Sequence, residues 1–396
     1  MLKISDYEQT GISMQLPLKG KNIIAMVVRI PLEDLHYNIQ NGRVATRVAE
    51  YVTKEGSLPE NEKELNEVFE GFIVKSNPDA LNKTKNNISK IGQTEPAVVL
   101  KDGTVIDGNR RFTALRQLAR ENGSKFAYID ATILDQEKYN AKEIRSLEFN
   151  LQHAREEKVD YDAIERLVDV YRSLIVEGHD FTVSEFASET GKKVSEVEQQ
   201  VQLANLMVEY LESIDQPEAF HIARNQKLGS ALVDVNNVLK KVPAELQDDA
   251  KELMFATLAT SNDKISSRIR KMKPLIIDSA SLQELSLASD SMLDELSEHF
   301  RQDDVKSEIK DTDSVNVPVG FTERFDKLVS DFNDSKTIKK AQKAPIVALD
   351  DAMKRLGYAD VEEASLMSKD DQDVFARKLA DLLQKASDMK TAFESM

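Results

Sequence analysis

The stretch VIDGNRRFTALRQL, residues 105–118, places an Asp-Gly-Asn turn between an apolar run and a helical pattern. A strand-to-helix turn presents backbone N–H groups beside the positive end of the helix, and together they favour a bound anion. Arg110 and Arg111 add forked guanidinium donors that suit phosphate oxygens. The residues alone leave two interpretations open: a phosphate site, or a helix capped by Asp107 with two arginines in surface ion pairs.

The elements that would position this junction form a small α+β domain over residues 1–137. Apolar runs predict strands at 23–30 and 126–134 and a hairpin over 98–106, and helical periodicity is found at 59–72, 77–91 and 112–120. From 138 to 300 the pattern is helical. The polar, proline-containing segment 301–320 predicts a linker, and 321–396 predicts a helical C-terminal domain.

Residues 181–207 have the spacing of a helix-turn-helix. Thr182 is placed to cap the first helix, and Gly191 is placed at the turn. The positions expected to face inward are Phe186, Ala187, Val194, Val197 and Val201. Five acids and two lysines lie between 181 and 210, so a helix pair that only packs within the domain remains an alternative to a DNA reader.

A net charge of −16 argues against diffuse phosphate binding, so any contact with DNA should be local. Basic residues cluster at 264–273 and 336–343, although such runs are usually solvated helix faces. The candidate DNA contacts are Lys192, Lys193, Ser195, Gln199, Arg268, Arg270 and Lys271. Cysteine is absent, which excludes a thiolate metal site. No run approaches the roughly 20 apolar residues of a membrane span, which predicts a cytoplasmic protein.

The order of these elements over residues 23–210 resembles the ParB family of DNA-segregation proteins, whose N-terminal domain shares its fold with sulfiredoxin. Three segments carry the resemblance: YNIQNGR at 37–43, DGNRRFTA at 107–114 and LEFNLQHARE at 147–156. It implies an α+β ParB/sulfiredoxin-like domain followed by a mainly α-helical region with a helix-turn-helix. It also implies Mg²⁺ with CTP or another NTP, and the Asp-Gly-Asn form is similar to that of sulfiredoxin-like relatives that handle ATP.

The resemblance assigns roles to particular residues. The arginine box that holds the triphosphate matches Gly108, Asn109, Arg110, Arg111 and Ala114. The further nucleotide contacts that it implies are Asn38, Arg43, Asn150 and Gln152, with Asn150 and Glu148 toward Mg²⁺. Phe149 stands where the family has glutamate, and His153 stands where it has arginine, so we expect hydrolysis to be slow or undetectable.

The sequence therefore predicts a nucleotide-dependent DNA-binding clamp that acts as a homodimer. One alternative is an enzyme on the same fold, either an ATP-dependent phosphotransferase or a nuclease. Another is a catalytically weak, nucleotide-sensing factor that binds a protein partner through its C-terminal helices. For the last interpretation, the candidate surface is the amphipathic stripe of Phe375, Leu379, Leu382 and Leu383.

Overall fold

A computed structural model describes residues 1–18, 21–153, 162–260 and 265–396 of the chain. They form two compact units, Met1–Val329 and Ser330–Met396. The strands are β1 (Glu8–Leu18), β2 (Lys21–Pro31), β3 (His36–Tyr37), β4 (Ala97–Leu100), β5 (Thr104–Asp107) and β6 (Tyr128–Leu134). The α-helices among these strands are α1 (Ala45–Glu55), α2 (Glu62–Ser76), α3 (Pro78–Ile91) and α4 (Asn109–Asn122).

The described strands form one mixed sheet in the order β1-β2-β6-β4-β5-β3. β4 and β5 are the antiparallel hairpin that the Asp102-Gly103 turn predicts, and β2 and β6 lie at the other two predicted strands. β6 runs parallel to β4, and β3 runs parallel to β5. The mixed sheet followed by helices is the α+β arrangement that the apolar runs predict.

Helices pack against both faces of the central strands of the sheet. On one face, β-sheet residues such as Val28 and Val99 pack against Phe69 of α2 and Phe112 of α4. On the other face, Leu147 belongs to the helix α5 (Ala141–His153) and packs with Leu16, Val98 and Ile106. A sheet with both faces buried needs runs of apolar residues in its central strands, and this explains why β4 reads as a continuous apolar segment.

The helical region continues the first unit. Its helices are α6 (Ala163–Leu174), α7 (Val183–Glu189), α8 (Val194–Ser213), α9 (Phe220–Asn225), α10 (Gly229–Leu239), α11 (Gln247–Ala259), α12 (Ile265–Ile276), α13 (Ser279–Phe300) and α14 (Asp303–Thr312). α6 packs against α8, and α7 packs against both. Among the described residues, no helix is long and apolar enough to cross a membrane.

The predicted linker at 301–320 is not an open linker in the structure, because α14 occupies ten of its first twelve residues. Val305 and Ile309 are buried there, one helical turn apart, and Asp313 pairs with Lys54 at 2.9 Å. Two apolar residues in a polar segment are enough to dock a short helix, and composition alone does not reveal them. The division between the two units falls between residues 329 and 330 instead.

The chain ends in α15 (Phe321–Leu356), α16 (Val361–Ser365) and α17 (Lys369–Glu394). Residues 330–396, all of which the structure describes, have one buried side chain, that of Ala364. The stripe on α17 is therefore open: Phe375 is half-buried, and Leu379, Leu382 and Leu383 are exposed. Exposed apolar side chains also occur on α15, at Ile346, Val347, Leu349 and Met353.

Candidate functional site

Two loops that the sequence analysis identifies leave the sheet at the same edge. β3 and β5 are neighbouring parallel strands, with Tyr37 opposite Val105. Because the strands run in the same direction, residues 38–43 and residues 107–111 follow them on one side of the sheet. The hydroxyl of Tyr37 also lies 2.8 Å from the Oγ1 atom of Thr113, which ties β3 to the first turns of α4.

Gly108 makes the turn between β5 and α4. Its φ of +101° is in the left-handed region, and a Cβ atom there would lie 2.9 Å from the Cβ atom of Ala97. α4 begins at the next residue, Asn109, and no side chain caps it from Gly108. Asp107 therefore is not the N-cap, and the positive end of α4 opens at this turn.

The two arginines of the turn have different surroundings. Arg111 donates from Nη1 to Glu95 at 2.7 Å and from Nη2 to Asp107 at 2.9 Å, and its side chain is only 12% exposed. It thus braces the turn from within. Arg110 is half-buried. Arg111 thus makes the ion pairs of the second sequence interpretation, and the phosphate site of the first interpretation stays a prediction.

Two other residues of the arginine box, Asn109 and Ala114, face the interior. Ala114 is fully buried in the core beneath α4. Asn109 is also buried and donates from Nδ2 to the carbonyl oxygen of Val105 at 3.2 Å. Its Oδ1 atom is buried and has no hydrogen-bond partner among the described residues. A buried acceptor without a donor is costly, which is consistent with a bound group at this position.

The loop after β3 is held by its own side chains. Asn38 is buried and accepts the backbone N–H of Gln40 at 2.9 Å, and Asn41 accepts that of Arg43 at 3.0 Å. Arg43 is half-buried, and its Nε atom is buried without a hydrogen-bond partner among the described residues. Asx turns of this kind fix the backbone that follows β3 and set the start of α1.

The helix α5 brings a third segment to the same edge. It packs against β5, and Arg145 donates from Nη1 to the carbonyl oxygen of Gln40 at 3.4 Å and to Glu148 at 2.7 Å. Burial raises the pKa of Glu148, an effect that Arg145 opposes and Asp169 and Asp107 reinforce. We call the meeting point of residues 38–43 and 107–111, against which α5 packs, the sheet-edge site.

Glu148 and Asn150 do not converge as a pair of Mg²⁺ ligands. Glu148 is 2% exposed and pairs with Arg145, whereas Asn150 donates to Glu189 at 2.8 Å and to the carbonyl oxygen of Ser146. Residues two apart on a helix point in nearly opposite directions, which explains the separation. The side chain of Gln152 lies outside the described residues. In the part of the chain that the structure describes, no group of three or more His, Asp or Glu side chains could hold a metal ion.

Phe149, which stands where the ParB proteins that the sequence resembles have an acid, is a core residue. Its side chain is 2% exposed, and its ring lies 5.9 Å from that of Phe181 and 5.2 Å from that of Phe186. The guanidinium of Arg145 lies 4.6 Å from the centre of the same ring. The residue joins α5 to α7 and contributes no polar group to the sheet-edge site.

The helix pair α7–α8 follows the sequence analysis in most details. Thr182 and Glu185 form a capping box at the start of α7, and Phe186 is buried. Of the three valines expected to anchor α8, Val197 is buried and Val201 is half-buried. Val194 is 45% exposed, so its placement in the core was wrong. The first residue of a helix often lies beyond the stripe that packs, and this accounts for the difference.

The candidate DNA contacts on this pair divide by exposure. Lys193, the residue before α8, is exposed, and so are Ser195 and Gln199 on that helix. Lys192 is half-buried, its Nζ atom lies 3.1 Å from Oε1 of Gln200, and burial lowers its pKa. Three side chains are thus exposed to solvent at the start of α8, whereas that of Lys192 is partly packed against the helix.

The basic run at 264–273 is also divided. Lys264 lies outside the described residues. Arg268 donates to the carbonyl oxygen of Thr260 at 2.5 Å and to Asp326 at 2.8 Å, so its charge is used within the first unit. Arg270 and Lys271 are exposed on α12. Ile269 and Met272 lie on the buried face of the same helix.

Residues that sequence reasoning missed connect the site to the helices behind it. Arg145 pairs with Asp169 of α6. The buried carboxylate of Glu165, also on α6, accepts the backbone N–H of Thr46 at 3.2 Å and its hydroxyl, and Arg224 donates to the same hydroxyl at 2.6 Å. No local spacing could have identified them, because their partners lie 24 to 178 residues away.

No protein-family model and no curated protein sequence matches the chain. Among solved structures, a Pnob8-like ParB-N domain in its C2221 crystal form is similar to this chain, with 13% sequence identity and a TM-score of 0.28. The match covers 64% of this chain and 98% of that one. At these values the similarity carries no conclusion about activity, ligand or partner.

Proposed function

We propose that the chain binds a nucleoside triphosphate, CTP or another NTP, at the sheet-edge site. The observation that carries the proposal is that β3, β5 and α5 bring three segments that are far apart in sequence to one edge. There the uncapped N-terminus of α4 opens beside Arg110, with Arg111 bracing the turn. A helix N-terminus with guanidinium groups beside it is a common phosphate-binding arrangement in proteins.

The acids at the site bear on the form of the nucleotide. Asp107 and Glu148 act on one another electrostatically, and Asp169 adds a third carboxyl group nearby. These carboxylates would repel a free triphosphate, and they would repel its Mg²⁺ complex less because the complex carries less negative charge. We therefore propose Mg²⁺ with the nucleotide, held chiefly through phosphate oxygens, as is common for this ion.

The second part of the proposal is a DNA-binding role for the helix pair α7–α8. Lys193, Ser195 and Gln199 are exposed at the start of α8, where a reader helix would meet base edges. Arg270 and Lys271 on α12 are a second exposed basic patch in the same unit. An acidic chain should then bind DNA through a few contacts, and we expect homodimers to do so as a nucleotide-dependent clamp.

The third part concerns turnover. Phe149 is buried between Phe181 and Phe186, so the position that carries an acid in the ParB family cannot act on a phosphate here. Slow or undetectable hydrolysis follows, because positioning of the attacking water would have to come from another group. A steady-state rate of about 1 per second or faster would contradict this part.

The nucleotide site is tested by calorimetric titration of CTP, ATP, GTP and UTP, each with Mg²⁺, against the full chain. Arg111→Ala should weaken binding by about 1.5–3 kcal/mol, and Arg110→Ala should weaken it without removing the brace between Asp107 and Glu95. Arg270→Ala, an exposed arginine on α12, is the matched control and should leave the affinity unchanged. The site assignment fails if none of the four nucleotides binds at millimolar concentration.

The DNA role is tested by two pairs of substitutions in a duplex-binding assay. Neutralising Lys192 and Lys193 should weaken binding if α8 enters the groove. Neutralising Arg270 and Lys271 should do so if α12 is the contact, and Arg268 is better left in place because it pairs with Asp326. The slope of log affinity against log salt should correspond to about three to six phosphates per subunit. A chain that binds no duplex at low salt, with or without nucleotide, is not a clamp.

A second candidate function has its own observation. Residues 330–396 bury almost nothing, while apolar side chains on α15 and α17 are exposed. Large exposed apolar surfaces mark association sites. If DNA binding fails, we propose a nucleotide-sensing factor that binds a protein partner through the stripe that includes Leu379 and Leu382.

A further inference from the structure

Arg145 lies at the centre of a buried charge cluster behind the sheet-edge site. Its side chain is 14% exposed, and the carboxyl groups of its two partners, Glu148 and Asp169, are 3% and 10% exposed. One guanidinium therefore joins α5 to α6 while also reaching the carbonyl oxygen of Gln40 in the loop after β3. A cation buried this deeply is retained only where its partners are fixed with it.

The shape of the guanidinium matters for this contact. Nη1 donates to Glu148 and to the carbonyl oxygen of Gln40, and Nη2 donates to Asp169. The two ends of one guanidinium therefore contact α5, α6 and the loop after β3. A lysine ammonium can pair with two carboxylates, as Lys54 does with Glu50 and Asp313, but it lacks the planar fork that holds its partners in one fixed geometry. The contact therefore fixes relative positions as well as charge balance.

The cluster extends toward the helix pair by two routes. Asp169 lies on α6, which packs against α8, and its charge acts on Lys192 at the entry to that helix. The ring of Phe149, stacked beneath the guanidinium, contacts Phe186 of α7. Toward the sheet edge, Glu148 is within the electrostatic influence of Asp107 at the turn between β5 and α4.

We propose that Arg145 is a positioning residue that couples the sheet-edge site to the orientation of α7–α8. An anion that enters beside Asp107 changes the field at Glu148, and Arg145 redistributes its contacts between Glu148 and Asp169. The helix pair then shifts with α6. This inference rests on the proposed function for its ligand, while the coupling itself is a property of the chain.

The test measures amide hydrogen exchange of the full chain in two states, without nucleotide and with Mg²⁺ and the tightest-binding NTP. The variants are Arg145→Met, Arg145→Lys and the matched control Arg116→Met. Arg116 is a close match, since its side chain is 16% exposed, pairs with Glu70 at 2.9 Å and lies 5.5 Å from the centre of the Phe112 ring. It braces α4 against α2.

Without nucleotide, Arg145→Met should speed exchange both at residues 38–44 and at 183–213, by roughly tenfold. Arg116→Met should speed it around α2 and α4 only. If the effect of Arg145→Met stays within α5, or if Arg116→Met affects the same two segments equally, the coupling is refuted. The measurement without nucleotide tests the coupling even if no NTP binds. In that case the proposed function fails while the coupling can still be confirmed or refuted.

With nucleotide, the wild-type chain should show altered exchange at 183–213, although the ligand sits at residues 107–111. Arg145→Lys should keep the fold and bind the NTP within about threefold of wild type, yet lose the distant change. A residue with a purely structural role would be rescued by lysine. Retention of the full distant change in Arg145→Lys would therefore overturn the inference.

Discussion

Replacing Gly108 by alanine should be unusually costly for a surface turn. The φ of +101° is strained for any residue with a Cβ atom, at a cost of about 1–2 kcal/mol. The new Cβ atom would also lie 2.9 Å from Cβ of Ala97 in the buried strand β4 and 3.0 Å from Nη2 of Arg111. Because Ala97 cannot retreat from the core, overpacking adds about 1–3 kcal/mol. The variant should therefore lose about 2–5 kcal/mol of unfolding free energy.

Urea unfolding of the full chain measures this loss, with Gly56→Ala as the control. Gly56 has a φ of +87° at the end of α1, and nothing lies within 4 Å of its added Cβ atom. The control should show only the backbone cost of about 1–2 kcal/mol. The difference between the two variants isolates the close packing of the turn against β4. Equal losses, or a smaller loss for Gly108→Ala, would refute the argument that the turn is held tightly.

Three further predictions concern buried side chains outside the turn. Burial lowers the pKa of His221 to about 4 despite Asp313 at 3.3 Å, so the folded state favours neutral imidazole. The contribution of His221 to the free energy of unfolding should be fully present above about pH 6.5 and should be lost as the pH drops toward 4. Urea titrations at several pH values should show that His221→Gln flattens this slope while exposed His179→Gln preserves it. Phe149→Ala should lose about 3–5 kcal/mol of unfolding free energy, and a loss below about 1 kcal/mol would contradict its burial. Thr182→Ala should cost about 0.5–2 kcal/mol by removing the capping box of α7, and unchanged exchange in the first turn of α7 would argue against the cap.

The sequence predicts those elements whose signal is local. β2 and the β4–β5 hairpin follow from apolar runs and an Asp-Gly turn, and the start of α7 follows from Thr182. β1 was not predicted, because its residues are mixed in character and become a strand by pairing with β2. α1 and α14 were also missed; in α14, the apolar signal is reduced to two docking residues.

The candidate site divides in the same way. The turn at Gly108 with its two arginines is visible in the sequence, because the strand, turn and helix are consecutive. The role of Arg111 as a brace depends on Glu95, sixteen residues earlier, and the buried cluster of Arg145 depends on where α6 packs. Such contacts are set by tertiary structure. The resemblance to ParB proteins identifies Phe149 as a departure from their glutamate, but the packing of its ring against Phe181 and Phe186 is visible only in the fold.

The central claim is that the sheet-edge site holds the phosphates of an NTP, and backbone amide exchange tests it most directly. The full chain is compared with and without Mg²⁺ and each nucleotide, at concentrations where binding is saturated or reaches the millimolar range. Protection should appear at residues 108–112 and 38–44, because the amides at the start of α4 would donate to phosphate oxygens. Residues 370–385 should be unaffected. Saturable binding with no protection at 108–112, or no binding by any of the four nucleotides, would contradict the account.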